Sequence, residues 1–397
     1  MAKIGVYGGS FNPPHPGHIR AAVQCKNALG LDRVILIPAA EPPHKALADG
    51  SPDAWERFRL TELAVQGLDG FSVSDLELRR EGKSYTVDTL ERLKEEYPSD
   101  TLYLMMGTDM FLSFERWYRP ERIVRLAQLV CFSRLQPDEA LRERCEAQCR
   151  LLRTAFACEP ILLENEVTQL SSTQIRRLLF FGAADDVLSP PVLRRIQEKQ
   201  LYGVGKSRRA LAPEELKQTV FSLLKPSRTA HVEGVCELAS ELAERYGADR
   251  TMAVRAALLH DVTKALPTEH QMLLCRRFSL DAAQTEASQP ALLHAMTAAA
   301  AAREIFGECE EVCSAIRWHT TGRANMTTLE KIVYIADMAE KTRSFPGVEE
   351  IRQALKAGLD EGVRMGLEMT ISHLQSCELP LAGASLEALQ SMQKQDT

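Results

Sequence analysis

The sequence predicts a two-domain protein, an α/β unit built on a Rossmann-like, doubly wound parallel sheet followed by an all-α helical bundle. Three observations predict it. The 397 residues exceed the ~100–200 residues of an ordinary domain. From residue 3 to about 201, short apolar runs alternate with amphipathic stretches, the pattern of βαβ units. Beyond Pro213 the strand signals stop and helical periodicity takes over.

The strand-like runs are residues 4–7, 34–38, 71–73, 102–106, 129–132 and 161–163, with helical periodicity between them, as in 19–29 and 85–96. Right-handed crossovers then place ligands at the carboxyl ends of the strands. Residues 202–213, Y-G-V-G-K-S-R-R-A-L-A-P, carry neither period and read as a linker. Gly205-Lys206-Ser207 imitates the end of a P-loop, but the required glycine five positions before Gly205 is Gln200. Helix-period runs follow at 214–224, 231–246, 250–260, 268–278, 294–306, 310–319 and 329–339. The predicted division is 1–203, a linker 204–213, a helical domain 214–376 and a patternless, fraying tail 377–397.

Apolar residues at 45%, charged residues at 26% and a net charge of −6 describe a soluble globular chain and give no reason to expect a nucleic-acid partner. No apolar run approaches the ~18 residues that span a bilayer, and residues 3–7 read as a strand rather than a signal peptide, so the expected location is the cytoplasm. A homo-oligomer stays compatible with the sequence. The ten cysteines include no C-x-x-C pair. Cys145/Cys149 and Cys309/Cys313 have helical spacing, and reduced cytosolic thiols are preferred over a zinc site built from them.

Residues 5–18 read G-V-Y-G-G-S-F-N-P-P-H-P-G-H. A strand runs into Gly8-Gly9, which let a ligand approach the backbone, and His15 and His18 stand where a helix begins. A glycine turn at a helix N-terminus presents unpaired N–H groups to phosphate, and two imidazoles on the same turn can add hydrogen bonds. Ser171-Ser172-Thr173 open a second helix with Arg176 one turn inside, again an anion site. Gly107 and Asp109 follow a strand, where an acidic side chain can take ribose hydroxyls.

These residues resemble the H-x-G-H nucleotidyltransferases, and within them the bacterial nicotinate-nucleotide adenylyltransferases. The resemblance extends through Pro42-Pro43-His44-Lys45, Ser84-Tyr85-Thr86, Met106-Gly107-Thr108-Asp109, Trp117 and Ser171–Arg176. It implies transfer of AMP from ATP, with Mg²⁺, to nicotinate mononucleotide. In those terms Gly8, Gly9, Ser10, Phe11, His15, His18, Gly107, Asp109, Ser171, Ser172, Thr173 and Arg176 would bind ATP. His15, His18 and Arg176 would stabilise charge in the transition state. Asn12, Lys45, Thr86, Trp117 and Arg134 would lie on the acceptor side, with Trp117 stacking on the pyridine ring or serving as a buried indole. The choice of nicotinate over nicotinamide rests on the resemblance.

The helical half holds His231, the pair His260-Asp261, then His294, His319 and Asp337, spread over successive helices. Imidazole and carboxylate together suit iron, manganese, cobalt, nickel or zinc. Two such ions can activate a water and clamp a phosphate. The flanking text, R-T-A-H (228–231), L-L-H-D-V-T-K (258–264), L-L-H-A (292–295), R-W-H-T-T-G-R (317–323), Y-I-A-D-M-A-E (334–340) and R-S-F-P-G-V (343–348), resembles the HD phosphohydrolases, in particular the branch that cleaves diadenosine tetraphosphate symmetrically. Where that branch often has an aromatic two residues before the first histidine, this chain has Thr229. The resemblance implies a dinuclear centre, iron first and manganese, cobalt or nickel as alternatives, that yields two ADP. His231, His260, Asp261 and Asp337 would hold one ion, His294 and His319 the other, with Asp261 bridging and catalytic. Lys264, Thr320, Arg323 and Arg343 would meet substrate phosphates, Lys264 alternatively pairing with a carboxylate and each arginine having a structural salt bridge as its competing role. The alternatives for this half are a different nucleotidase or phosphodiesterase, or a nucleotide-sensing module.

Overall fold

The computed structural model describes residues 1–42, 46–80, 82–132, 139–164, 170–282 and 289–393. The chain divides into two compact units, Met1–Gly205 and Lys206–Thr397.

In the first unit, strands β1 (Lys3–Gly9), β2 (Arg33–Pro38), β3 (Phe71–Val73), β4 (Thr101–Gly107), β5 (Ala127–Phe132) and β6 (Ile161–Leu163) form one sheet. Its order is β3-β2-β1-β4-β5-β6 with every pair parallel. Between and after them run α1 (Pro16–Leu29), α2 (Ala54–Val65), α3 (Thr86–Glu96), α4 (Thr108–Phe111), α5 (Pro120–Leu126), α6 (Glu139–Phe156), α7 (Ser172–Phe181) and α8 (Pro190–Glu198). Side chains alternate faces along a strand, and here both faces are buried, which is why the runs are apolar throughout. Ile4, Val6, Ile35, Ile37, Leu102, Leu104 and Met106 share a core with Val87, Leu90 and Leu93 of α3. Tyr7, Val34, Leu36, Met105 and Val130 point the other way, onto Ala21, Ala22 and Cys25 of α1. The strand order reverses between β1 and β4, so their carboxyl ends flank the crevice where such sheets bind ligands. Those ends carry Gly8-Gly9 and Gly107.

The second unit is helical among its described residues: α9 (Pro213–Leu223), α10 (Thr229–Tyr246), α11 (Arg250–Leu259), α12 (Thr268–Arg277), α13 (Leu293–Ala301), α14 (Glu310–Trp318), α15 (Thr328–Ala339), α16 (Val348–Ala357), α17 (Leu359–Ser376) and α18 (Gly383–Gln393). Helices α10, α11 and α15 pack on one another, and Val235, Ala256, Ala257, Ile332 and Ile335 on them are fully buried. No helix among the described residues is long and apolar enough to cross a membrane.

The tail differs from expectation. Instead of fraying throughout from 377, the chain forms α18, with Ala388 and Met392 buried and Ser391 Oγ accepting the Asn325 N–H at 3.2 Å. Its buried stripe is Ser385, Ala388 and Met392, of which only a methyl and a thioether are apolar, too slight to register as periodicity. The run 294–306 also departs from one regular helix, since residues 302–306 widen into a π turn before Gly307.

Candidate functional site

The first site is built where β1 hands over to α1. His15 is the extended residue before α1, and its backbone N–H donates to Nδ1 of His18 at 3.3 Å. That bond fixes the tautomer: with Nδ1 accepting, a neutral His18 carries its proton on Nε2. The two imidazole centroids lie 3.7 Å apart, and the edge of Phe11 meets His18 at 5.2 Å. Gly17 between them has a steric reason, because a Cβ there would stand 3.0 Å from the His15 ring.

Helix α7 is brought to the same loop. Ser171 caps it in a reciprocal pair with Gln174, accepting the Gln174 N–H at 3.2 Å while its own N–H donates to Gln174 Oε1 at 2.8 Å. Arg176 donates to the Asn12 carbonyl at 2.7 Å and to Thr173 Oγ1 at 3.1 Å, and Ser172 Oγ donates to the Pro13 carbonyl at 3.1 Å. Two helix N-termini, two imidazoles and a guanidinium therefore share one loop, an arrangement suited to a polyanion. Asn12 Nδ2 donates to Ser51 Oγ at 2.7 Å. Asp109 is exposed just past β4, and Thr86 is the first residue of α3. Trp117 is half-buried, its ring 5.3 Å from Phe114 at the rim of the core. Lys45 and Arg134 lie outside the described residues.

Sequence reasoning missed Arg57. It is 1% exposed, and it donates from NH1 to the Ser10 carbonyl at 2.7 Å and from NH2 to the Ala40 carbonyl at 3.1 Å. It thus ties the loop after β1 to the loop after β2. Burial lowers its pKa and pushes the nearby Tyr202 hydroxyl up, against the pull of Arg176 and Arg57. One arginine in the charged helix text A-W-E-R-F-R reads as solvated, so no sequence signal marked it. Replacing it by methionine is expected to destabilise the unit by about 1–3 kcal/mol, because two carbonyls lose their donor. A melting curve checks this; an unchanged melting temperature would mean that the tie adds nothing to the stability of the unit.

The second site is built at helix ends. His231 opens α10, His260-Asp261 follow α11, His294 lies in the first turn of α13, His319 follows α14, and Asp337 closes α15. Nδ1 of His260, His294 and His319 meets the carbonyl three residues earlier, Ala257 at 2.6 Å, Ala291 at 2.6 Å and Ile316 at 2.7 Å. A carbonyl only accepts, so each Nδ1 carries the proton and each Nε2 a lone pair. His231 Nδ1 meets the Glu340 carboxylate at 2.9 Å, with the same consequence. Burial pushes the pKa of His260 down to about 3 and of His294 to about 4, and of His319 well below its ordinary value, so these rings are neutral.

The Nε2 atoms converge on the two aspartates. His231 Nε2 is 3.0 Å and His260 Nε2 3.8 Å from Asp337 Oδ1, and His260 Nε2 is 3.4 Å from Asp261 Oδ2. His294 and His319 stand 3.3 and 3.8 Å from Asp261 Oδ1. Nε2 of His294 and Nε2 of His319 lie 3.2 Å apart, two lone pairs with no hydrogen between them. Nε2 of His231 and His260 and Oδ1 of Asp261 are buried without a hydrogen-bond partner. Inward lone pairs on buried, neutral imidazoles beside carboxylates fit divalent cations. Among the described residues, two ligand groups meet metal-site geometry, His231 with His260 and Asp337, and His260 with Asp261 and His319. No cysteine belongs to either.

Cations ring the aspartates. Lys264 Nζ is 3.3 Å from Asp261 Oδ1, Arg228 pairs with Asp261 Oδ2, and Arg343 NH2 is 2.5 Å from Asp337 Oδ1. Burial lowers the pKa of Lys264 to about 8. Burial opposes ionisation of Asp337, but the adjacent His231 and the Arg343 charge outweigh it and hold the carboxyl well below its usual range. Arg228 opens the R-T-A-H text, but nothing in that local sequence shows that its guanidinium meets Asp261. Arg323 goes elsewhere, donating from Nε to the buried Glu330 at 2.9 Å, and the buried Thr320 hydroxyl has no hydrogen-bond partner.

Comparison with known proteins agrees with this division. Residues 6–178 match the cytidylyltransferase-like family and residues 228–342 match the HD domain. A protein of Trichlorobacter lovleyi described as a probable nicotinate-nucleotide adenylyltransferase is 37% identical over 218 residues, which cover 55% of this chain and 96% of that one. The chain belongs to the nicotinate-nucleotide adenylyltransferase family. The adenylyltransferase half also resembles a Plasmodium falciparum nicotinic acid mononucleotide adenylyltransferase solved with NaAD, at 19% identity and a TM-score of 0.42, over 52% of this chain and 99% of that one. The HD half resembles a predicted HD superfamily hydrolase involved in NAD metabolism from Clostridium acetobutylicum, at 32% identity and a TM-score of 0.45, over 47% of this chain and 98% of that one.

Proposed function

We propose that this chain is a bifunctional enzyme of pyridine-nucleotide metabolism. In the adenylyltransferase half, a phosphate oxygen of nicotinate mononucleotide attacks the α-phosphorus of ATP, the bond to the bridging oxygen breaks, and pyrophosphate leaves. Both reactants are anions, so the work is charge neutralisation and in-line placement. The observation that carries the reading is the shared loop at the sheet's switch point. There His18 has Nε2 as its donor, and α1 and α7 turn their N-termini to one side. ATP would arrive as its magnesium complex.

The HD half is a metal-dependent phosphohydrolase, and diadenosine tetraphosphate is its substrate. Water adds across the central phosphoanhydride and two ADP result. Bound divalent ions, iron or a congener, supply an activated water and neutralise phosphate charge. His231, His260, Asp261, His294, His319 and Asp337 would hold those ions. Arg228, Lys264 and Arg343 stand beside the carboxylates, where a polyphosphate can take over their hydrogen bonds. The observation behind this is the pair of Nε2 lone pairs 3.2 Å apart beside Asp261.

The test is to purify the full chain without chelator, quantify bound metal, and chromatograph products from two incubations. Nicotinate mononucleotide with ATP is expected to give nicotinate adenine dinucleotide, in preference to the amide substrate. Diadenosine tetraphosphate is expected to give ADP alone. AMP plus ATP would reassign the second activity to an asymmetric hydrolase, and bound metal without cleavage would move it to another nucleotide.

A further inference from the structure

Glu340 is an unusual place for a carboxylate. It follows α15 immediately, three residues beyond Asp337, and is 1% exposed. Its Oε1 receives Nδ1 of His231 at 2.9 Å and the Thr342 hydroxyl at 2.6 Å, and its Oε2 receives the Thr342 N–H at 2.6 Å. The turn carrying it is clamped by Arg352, which donates to the carbonyls of Ala339 at 2.9 Å, Glu340 at 2.6 Å and Arg343 at 3.0 Å. Opposite the carboxylate lies Gly234, one helical turn after His231 on α10. A Cβ on Gly234 would stand 2.3 Å from Glu340 Oε2, so the helix leaves out a side chain where the carboxylate sits.

The other three imidazoles of the cluster give Nδ1 to a backbone carbonyl. Among the four, His231 alone gives it to a carboxylate. A carboxylate orients the ring as a carbonyl does, and it also raises the electron density at the far nitrogen, strengthening that nitrogen as a metal ligand. The two ends of the cluster therefore differ electronically. His231 and Asp337 form the end backed by Glu340, whereas His294 and His319 form an end backed only by carbonyls.

We propose that Glu340 is a positioning residue that makes the His231–His260–Asp337 position the tighter of two metal positions, so that the cluster fills in order. Gly234, Thr342 and Arg352 hold it in place. The proposal rests on reading the cluster as a metal centre.

The experiment uses the full chain, stripped with chelator and titrated with cobalt(II), following the visible absorption of the bound ion and its affinity by chelator competition. The native chain is expected to bind two ions with separated affinities. Glu340→Ala is expected to weaken the tighter one by about 10–100-fold and leave the weaker one unchanged. Glu340→Gln, whose amide oxygen still accepts Nδ1–H without the charge, falls between. Gly234→Ala keeps the carboxylate but displaces it, and reproduces the loss. Melting curves of the stripped proteins separate folding from ligation. Unchanged affinities of both ions in Glu340→Ala and Gly234→Ala, or a uniform weakening of both ions that tracks a lowered melting temperature, overturns the proposal. A native chain that takes up no cobalt overturns the metal reading beneath it.

Discussion

Replacing Asp261 by alanine is expected to abolish the phosphohydrolase activity, at least ~10³-fold in kcat or about 4 kcal/mol of transition-state stabilisation, while adenylyl transfer continues unchanged. Asp261 is fully buried among three of the four imidazoles and two side-chain cations of the helical cluster. One oxygen faces His294, His319 and Lys264, and the other faces His260 and Arg228. Removing it deletes the group able to bridge two cations and strands two side-chain cations beside four imidazoles. Asp261→Asn is the sharper variant, since it keeps the shape and most hydrogen bonds but halves the bridging capacity and removes the charge. Metal content should fall in both variants alongside turnover. Retained cleavage with metal lost would sever the cluster from the chemistry. Lost cleavage with both ions retained would mean that Asp261 acts on substrate rather than as a ligand. The transferase assay on the same preparation serves as the folding control for the other unit.

The fold was legible because its signals are redundant. Six apolar runs with helical text between them leave few alternatives to a parallel sheet, and the structure places all six in one. The two clusters were legible for a different reason: histidines at turn and helix-end positions, repeated in recognisable local text, are hard to explain as core filling. The unread residues act through burial and long-range pairing. Arg57 has the look of any surface arginine on a helix until the structure shows its guanidinium spanning two loops. Glu340 stood in plain view three residues after Asp337, but its meaning depends on Gly234, 106 positions away in sequence and 2.3 Å away as a hypothetical Cβ contact. Arg323 takes the salt bridge that competes with phosphate binding: its Nε goes to Glu330, which also accepts the Thr327 N–H in a helix cap at 2.7 Å. Local text carries residue type and period, and it carries nothing about which distant side chain completes the pair.

Replacing His18 by alanine is expected to lower kcat of adenylyl transfer by ~10²–10³, about 2.7–4 kcal/mol, with a much smaller change in the KM for ATP. The reason lies in the tautomer. The His15 N–H occupies Nδ1 of His18 and leaves Nε2 as the donor, so the ring is set before substrate arrives. A donor held in place in a buried pocket costs no reorganisation as negative charge grows on the transferring phosphate, and its worth is largest in the transition state. His18 is 8% exposed and its edge partner Phe11 is 1% exposed, so water is poorly placed to substitute. His18→Gln can restore the cap of α1, since Gln174 at the same third position of α7 accepts the Ser171 N–H, but it does not restore the imidazole Nε2 donor, and should recover little of the rate. His18→Asn offers an acceptor near Nδ1 and no donor at the far end, and should also recover little. Glutamine therefore separates a phosphate donor from a residue that only caps α1, because it returns the cap without the imidazole. If glutamine restores turnover in full, His18 is a structural residue of the helix start and the transition-state donor must be sought in His15 or Arg176.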